Sequence, residues 1–173
     1  MIFAGELLGR AAMWAGLQSA ESSSYGAEAR GSACHAGVII SDQYIPYPKV
    51  RRPDLLIALS QGAFDKFLPT VKGGGQAVFD ADLVDISASS SKREDIILRG
   101  FFATAAATRL GRRSVANVVL LAAALASNFS RTDILVCPIS PSREALAQAI
   151  VEQSPEAFRK INLTALEEGW KSK

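Results

Sequence analysis

Apolar positions recur every three or four residues near the start of the chain, and short unbroken apolar runs follow. The spacing predicts an amphipathic helix over residues 2–15, which ends at Gly16 because glycine readily adopts the conformation that closes a helix. The predicted apolar face comprises Phe3, Leu7, Leu8, Ala11, Trp14 and Ala15. Residues 115–127 are apolar on nearly every side, which predicts a second helix that is fully buried.

The short apolar runs predict strands at residues 33–40, 55–59, 76–80 and 96–98. The run at 55–59 has no polar position, which is typical of a strand covered on both faces of its sheet. Residues 17–22 are a weaker, polar strand candidate. Residues 44–45 are predicted to pair with 33–40 as a short hairpin, because residues 41–43 favour a turn.

Further helices are predicted at residues 61–68, 101–110, 141–152 and 155–168, and the second of these is expected to end at Gly111. Ser140 and Ser154 each precede a proline, and a serine N-cap followed by proline is a frequent helix start. The alternation of strands and helices predicts an α/β fold. We expect a single three-layer α/β/α domain over residues 1–173, with a mixed, mostly parallel sheet.

The charge balance carries little information about partners. The 173 residues include 19 basic and 17 acidic side chains, which disfavours nucleic acid as the main partner. The basic pairs at 51–52 and 112–113 are expected to be solvated. Glu6 and Arg10 interrupt the first apolar segment, so no signal peptide is predicted, and no apolar segment is long enough to span a membrane. We expect a cytoplasmic protein.

Cysteine and histidine are too scarce for most catalytic or metal sites. Cys34, Cys137 and His35 are the only such residues, whereas a closed zinc site needs four ligands and a serine triad needs a placed histidine. We expect buried, inert cysteines rather than a Cys34–His35 pair, since strand neighbours point to opposite faces. The chain lacks a dinucleotide fingerprint as well, so either it uses a cofactor held by partners or it is not an enzyme on its own.

Two loop features allow both a functional and a structural interpretation. The glycines at 73–75 could cradle a phosphate, but they precede a strand rather than a helix, so a plain turn is favoured. Asp80, Asp82 and Asp85 could hold a hard cation, but nothing completes a calcium loop. Ordinary acids at the end of a strand are the favoured interpretation.

Residues 25–31 form the most informative segment, with Glu28 and Arg30 placed between two glycines. Such a loop presents its charges outward, because glycine disfavours helix and sheet interiors. An arginine can grip a carboxylate or phosphate with two parallel hydrogen bonds, and a neighbouring glutamate can hold it in place. A surface ion pair of little energetic weight is an equally good interpretation from chemistry alone.

The same segment resembles the Tyr-Gly-x-Glu-x-Arg-Gly motif of the gamma subunits of 2-oxoacid:ferredoxin (acceptor) oxidoreductases. The similarity covers nearly the whole chain and includes residues 4–9, 39–42, 47–50, 53–61 and 79–84 with Asn117, Asn162 and Gly169. Within this pyruvate/ketoisovalerate oxidoreductase family, the Tyr-Pro-Lys-Val and Ala-Leu-Ser-Gln segments are most similar to the 2-oxoglutarate synthase branch.

The resemblance implies a subunit of a complex that converts a 2-oxoacid, coenzyme A and oxidised ferredoxin into acyl-CoA, carbon dioxide and reduced ferredoxin. It places thiamine diphosphate with Mg on the alpha and beta subunits and iron–sulfur clusters on other subunits or domains. This chain is then expected to bind no cofactor, to carry no catalytic residue, and to partner the alpha, beta and, in some complexes, delta subunits. The residues expected to contact another subunit or coenzyme A are Tyr25, Gly26, Glu28, Arg30 and Gly31.

Family members usually begin with a strand and a Gly-Gly-Gln-Gly turn that leads into the first helix, whereas Met1 stands here where that helix begins. We expect a misassigned start or a truncated chain, without the anion site that such a turn provides. Two other functions stay open. One is a stand-alone Rossmann-like module that binds a phosphate-bearing ligand such as coenzyme A, and the other is a purely architectural subunit.

Overall fold

The computed structural model describes residues 1–24, 34–89, 93–129 and 140–171. The chain divides into two compact units, of which the first comprises Met1–Val50 and Ile139–Lys160 and the second Arg51–Pro138 and Ile161–Lys173. In chain order the helices and strands are α1 (Ile2–Trp14), β1 (Gln18–Ser24), β2 (His35–Ser41), β3 (Leu55–Ala58), α2 (Gln61–Phe67), β4 (Gln76–Asp80), β5 (Ile97–Phe101), α3 (Ala103–Arg109), α4 (Ala116–Phe129), α5 (Arg143–Gln153) and α6 (Glu156–Lys171). Within the described ranges, every helix is too short or too polar to cross a bilayer.

In the first unit, α1 packs against α5 and against an antiparallel hairpin. The hairpin pairs β1 with β2 from Gln18 opposite Ser41 to Ser24 opposite His35. The helix approaches the hairpin closely at Gly5, where an added Cβ would lie 2.6 Å from the Cβ of Ala36. Small residues on one face of α1 therefore set the distance between the helix and the two strands.

Glycine ends α1 as the sequence predicts. Gly16 has a φ of 75°, a conformation that other residues rarely adopt. Its N–H donates to the carbonyl of Met13, and the N–H of Leu17 donates to that of Ala12, which together form a Schellman motif. Gly111, with a φ of 82°, ends α3 in the same way. Both predicted helix ends are confirmed.

The second unit is built on a parallel sheet with strand order β3-β4-β5. All five residues of the central strand β4 are buried. Phe64 of α2 and Phe79 of β4 meet edge to face in its core, with ring centroids 5.2 Å apart. The described side chains of α4 confirm the predicted buried helix, since Val118 to Ala126 are all at most 4% exposed. The α/β class and the parallel sheet are therefore confirmed.

The predicted strand at residues 44–45 is wrong. Tyr44 is 84% exposed, and the partner of β2 is β1 rather than this segment. The Ser41 hydroxyl accepts a hydrogen bond from the N–H of Gln43, which turns the chain away from the sheet. Pro46 and Pro48 follow, and neither has an N–H to offer to a strand partner.

The predicted N-cap of the helix after residue 140 is displaced by two residues. The capping side chain is that of Ser142, whose hydroxyl accepts a hydrogen bond from the N–H of Ala145 at 3.2 Å. Pro141 therefore precedes the cap instead of occupying the first helical turn. Two serines flank this proline, and the sequence alone does not distinguish them.

Candidate functional site

The residues predicted to form a contact site lie outside the part of the chain that the structure describes. They are Tyr25, Gly26, Glu28, Arg30 and Gly31. The described residues on either side of this segment are paired with each other: Ser24 ends β1 and His35 begins β2. The segment thus connects two strands at one end of the hairpin in the first unit, and its role stays a prediction.

Glu21 is the acidic side chain on the strand that leads into this segment. It lies against the glycine face of α1, where an added Cβ on Gly5 would be 3.2 Å from its carboxylate. Burial beside the helix raises the pKa of Glu21, and the nearby negative charge of Glu6 raises it further. A hydrogen bond from the Ser23 hydroxyl opposes this shift and only partly offsets it.

We expect Glu21→Gln to raise the free energy of unfolding at pH 7, because it removes a partly desolvated charge. The gain should stay below about 1 kcal/mol, since water still screens this carboxylate. The folded-state pKa of this carboxyl group lies above its ordinary value of 4.5, so the group stabilises the fold at pH values below 4.5. This contribution is lost as the pH rises through the folded-state pKa. The gain should therefore vanish near pH 4 in thermal unfolding measurements.

Glu144→Gln in α5 is the control, because its expected sign is opposite. The pKa of Glu144 is lowered, chiefly by its own backbone N–H and then by the Ser142 hydroxyl. Glutamine at this position should therefore slightly reduce stability at pH 7. A Glu21→Gln protein that is less stable than wild type at pH 7 would contradict this account of Glu21.

At the carboxyl edge of the parallel sheet, three acids hold the backbone of neighbouring loops. Asp80 is fully buried, and its carboxylate accepts hydrogen bonds from the N–H of Asp82 and from both the N–H and hydroxyl of Thr104. Asp82 accepts from the N–H of Ala105 at 2.7 Å. Donation by the Ser87 hydroxyl, and then by its N–H, lowers the pKa of Asp85. These acids therefore organise loops, as the favoured interpretation predicted.

No group of three or more His, Cys, Asp or Glu side chains in the described ranges is arranged to hold a metal ion.

The glycines at 73–75 form a plain turn, which was the favoured interpretation of this segment. Gly74 donates its N–H to the carbonyl of Asp95 at 2.7 Å, and Gly75 donates to that of Lys72 at 2.9 Å. These amides are committed to the protein itself and are not available to cradle a phosphate.

Cys34 is exposed, so the expectation of a buried thiol is wrong at this position. It immediately precedes β2 and lies just beyond His35, the last paired residue of that strand. Cys137, the other cysteine, lies outside the described residues. The absence of a catalytic Cys34–His35 pair stays a prediction.

Sequence reasoning missed the role of Arg93. Its guanidinium forms a two-pronged ion pair with Asp95, with nitrogen–oxygen distances of 2.6 and 2.8 Å. Its remaining N–H groups donate to the carbonyls of Leu68, Pro69 and Val71. Arg93 thus joins the entry of β5 to the turn before β4, two segments more than 20 positions apart. The only local signal is an arginine two residues before an aspartate.

Comparisons with known proteins agree with the fold. A family model for pyruvate ferredoxin/flavodoxin oxidoreductase matches residues 1–172. The 2-oxoglutarate synthase subunit KorC of Methanocaldococcus jannaschii is 35% identical over 98% of this chain and 86% of its own length. KorC of Methanothermobacter thermautotrophicus is 36% identical with the same coverage. The keto/oxoacid ferredoxin oxidoreductase gamma subunit of Geobacter sulfurreducens superposes with a TM-score of 0.74 and 34% identity, covering 98% of this chain and 89% of that one.

The chain therefore belongs to the pyruvate ferredoxin/flavodoxin oxidoreductase family. Within this family it is a gamma subunit of a 2-oxoacid:ferredoxin oxidoreductase, and hence one component of a multi-subunit enzyme. The resemblance that residues 25–31 and the surrounding segments predict is confirmed. Gly169, one of the residues that carried it, is buried in α6 and packs directly on α4.

Proposed function

We propose that this chain serves a thiamine-diphosphate-dependent complex that oxidatively decarboxylates 2-oxoglutarate. The observation that carries the proposal is the identity of 35% and 36% to two KorC subunits across almost the whole chain. In the reaction, the 2-oxoacid loses carbon dioxide and its acyl carbon forms a thioester bond with coenzyme A. The thiol releases its proton, and two electrons pass to oxidised ferredoxin.

The cysteine content of the sequence and the acids that the structure describes do not fit a resident redox group. An iron–sulfur cluster is usually held by four thiolates, and the sequence contains only Cys34 and Cys137. The magnesium of thiamine diphosphate takes oxygen ligands, but Asp80 and Asp82 already hold backbone N–H groups. We assign thiamine diphosphate and Mg to the alpha and beta subunits, and the clusters to other subunits.

This chain then contributes a contact surface to the complex and takes no part in a reaction step. Arg30 and Glu28 are the residues we assign to contact with a neighbouring subunit or with a phosphate of coenzyme A. An arginine fork matches either a carboxylate or a phosphate with two parallel hydrogen bonds. The pairing of Ser24 with His35 supports this assignment, because it places the two described residues on either side of the segment next to each other at one end of the hairpin.

The test is turnover of the complex purified with its natural companion subunits. We expect 2-oxoglutarate and coenzyme A to support reduction of a viologen dye by the complex, and no reduction by this chain alone. Arg30→Ala should raise the KM for coenzyme A about tenfold or more while the complex stays assembled. Size-exclusion chromatography with light scattering measures the assembly.

Arg109→Ala is the matched control, since Arg109 forms an ion pair with Glu168 on an exposed surface and should leave KM unchanged. Preference for another 2-oxoacid over 2-oxoglutarate would overturn the substrate assignment. Lost assembly with Arg30→Ala would identify an architectural contact instead. Tight binding of coenzyme A to the isolated chain that Arg30→Ala abolishes, measured by calorimetry, would favour the stand-alone binding module.

A further inference from the structure

A basic groove of about 400 Å³ lies at the amino edge of the parallel sheet in the second unit. Its walls come from the segments that precede β3, β4 and β5, and parallel strands bring these three entries to the same edge. Four cationic side chains line it: Arg51, Arg52, Lys72 and Arg93. The groove thus unites a basic pair and a glycine turn that have no evident relation in the sequence.

One of these cations builds the wall and does not face a ligand. Arg93 uses its guanidinium on Asp95 and on the three carbonyls of residues 68, 69 and 71. Since a guanidinium has five N–H donors, these five hydrogen bonds account for all of them. Arg93 therefore fixes the groove's shape, and Arg93 and Asp95 together add little net charge.

The side-chain hydrogen-bond donors that remain for a ligand belong to Arg52 and Lys72. Lys72 makes one ion pair, to Asp54 at 3.0 Å, and an ammonium group has three donors. Arg52 is exposed and forms no hydrogen bond or ion pair with any described residue. Arg51 adds a further positive charge to the same wall. Lys72 and Arg93 are each paired with a carboxylate, so the positive charge that the described carboxylates leave unbalanced in the groove is that of Arg52.

The glycine turn contributes space rather than amide donors. Gly73 lines the groove, and a Cβ added there would lie 3.3 Å from a carboxylate oxygen of Asp95. The amides of Gly74 and Gly75 are already bonded to backbone carbonyls, so an anion here is held by side chains. The groove therefore differs from a glycine-rich phosphate-binding loop, in which backbone N–H groups contact the phosphate.

We propose that this groove binds the phosphoryl groups of a small ligand, with the Arg52 fork on one oxyanion and the Lys72 ammonium on a second. A guanidinium matches two oxygens of one phosphate, and an ammonium adds a compact positive charge beside it. A diphosphate supplies both anions in one small molecule. The proposal does not rest on the proposed substrate or on any role of residues 25–31.

Inorganic diphosphate is the probe, titrated into the full chain by calorimetry at constant ionic strength, so that general screening is held fixed. We expect one saturable site. Arg52→Gln and Lys72→Gln should each weaken binding about fivefold or more, because each removes a charged donor. Arg109→Gln is the matched control on an exposed part of the same unit and should change affinity less than twofold.

Protection from phenylglyoxal, which modifies exposed arginines, locates the site. Diphosphate should protect Arg52 and leave Arg109 reactive, as measured by mass spectrometry of peptides. Displacement of diphosphate by coenzyme A but not by pantetheine would identify coenzyme A as the source of the phosphoryl groups. Diphosphate that coenzyme A does not displace would identify a separate phosphate ligand. Absence of saturable binding, or affinity unchanged by Arg52→Gln and Lys72→Gln, would overturn the proposal.

Discussion

Replacing Gly169 by alanine should destabilise the second unit by about 3 kcal/mol or more. An added Cβ at this position would lie 2.2 Å from the carbonyl oxygen of Val119 and 2.7 Å from the Cβ of Ala122. The first of these atoms belongs to the backbone of α4 and cannot rotate away. The methyl group can be accommodated only if the two helices separate, which loosens the buried contacts around α4.

Urea unfolding followed by circular dichroism measures this effect, with Gly62→Ala as the control. Gly62 also lies in a helix, but nothing is within 4 Å of where its Cβ would be. Alanine is the better helix former, so Gly62→Ala should be neutral or stabilising by up to about 1 kcal/mol. Equal midpoints for Gly169→Ala and wild type would show that α4 and α6 are not in close contact.

The sequence predicts those features that depend on neighbouring residues. Gly16 and Gly111 end helices because the required backbone conformation is local, and both predictions are confirmed. Strand β4 matches the prediction residue for residue at 76–80, since an apolar run between a glycine turn and an acid has few other interpretations. The buried helix α4 is predicted for a similar reason, because only a covered helix can be apolar on every side.

Features that depend on residues distant in the sequence cannot be predicted in this way. Trp14 belongs to the predicted apolar face of α1, yet it is 55% exposed. Its indole N–H donates to Glu152, which is 138 positions further along the chain. Periodicity assigns a side chain to a face of the helix, but it does not say how far the opposing element extends over that face.

The same limit applies to the candidate sites. The two basic residues at 51–52 and the glycines at 73–75 look unrelated in the sequence, because the parallel pairing that unites their segments is a long-range property. The Arg93 contacts cannot be predicted from the sequence for the same reason. Residues 25–31 differ, because the family can be recognised from their short charged motif in the sequence alone, and their contact role stays a prediction.

Asp80→Ala should also destabilise the second unit, by about 3 kcal/mol, because a buried carboxylate with three donors is lost. Hydrogen bonds to charged groups contribute roughly 1.5–3 kcal/mol each and are not additive. Asp80 is 0% exposed and receives the Thr104 hydroxyl at 2.6 Å and the Thr104 N–H at 3.0 Å. Alanine leaves these donors without an acceptor at the start of α3 and opens a void at the end of β4.

A double-mutant cycle with Thr104→Val separates the hydrogen bond from the void. The two substitutions should show a coupling energy of about 1 kcal/mol in urea unfolding, because either one removes the hydroxyl–carboxylate bond. Asp82→Ala is the control: this exposed acid accepts one hydrogen bond, from Ala105, and should cost about 1 kcal/mol. Additive effects of Asp80→Ala and Thr104→Val, together with stabilisation of wild type by added Mg²⁺ or Ca²⁺, would instead favour a cation site at these acids.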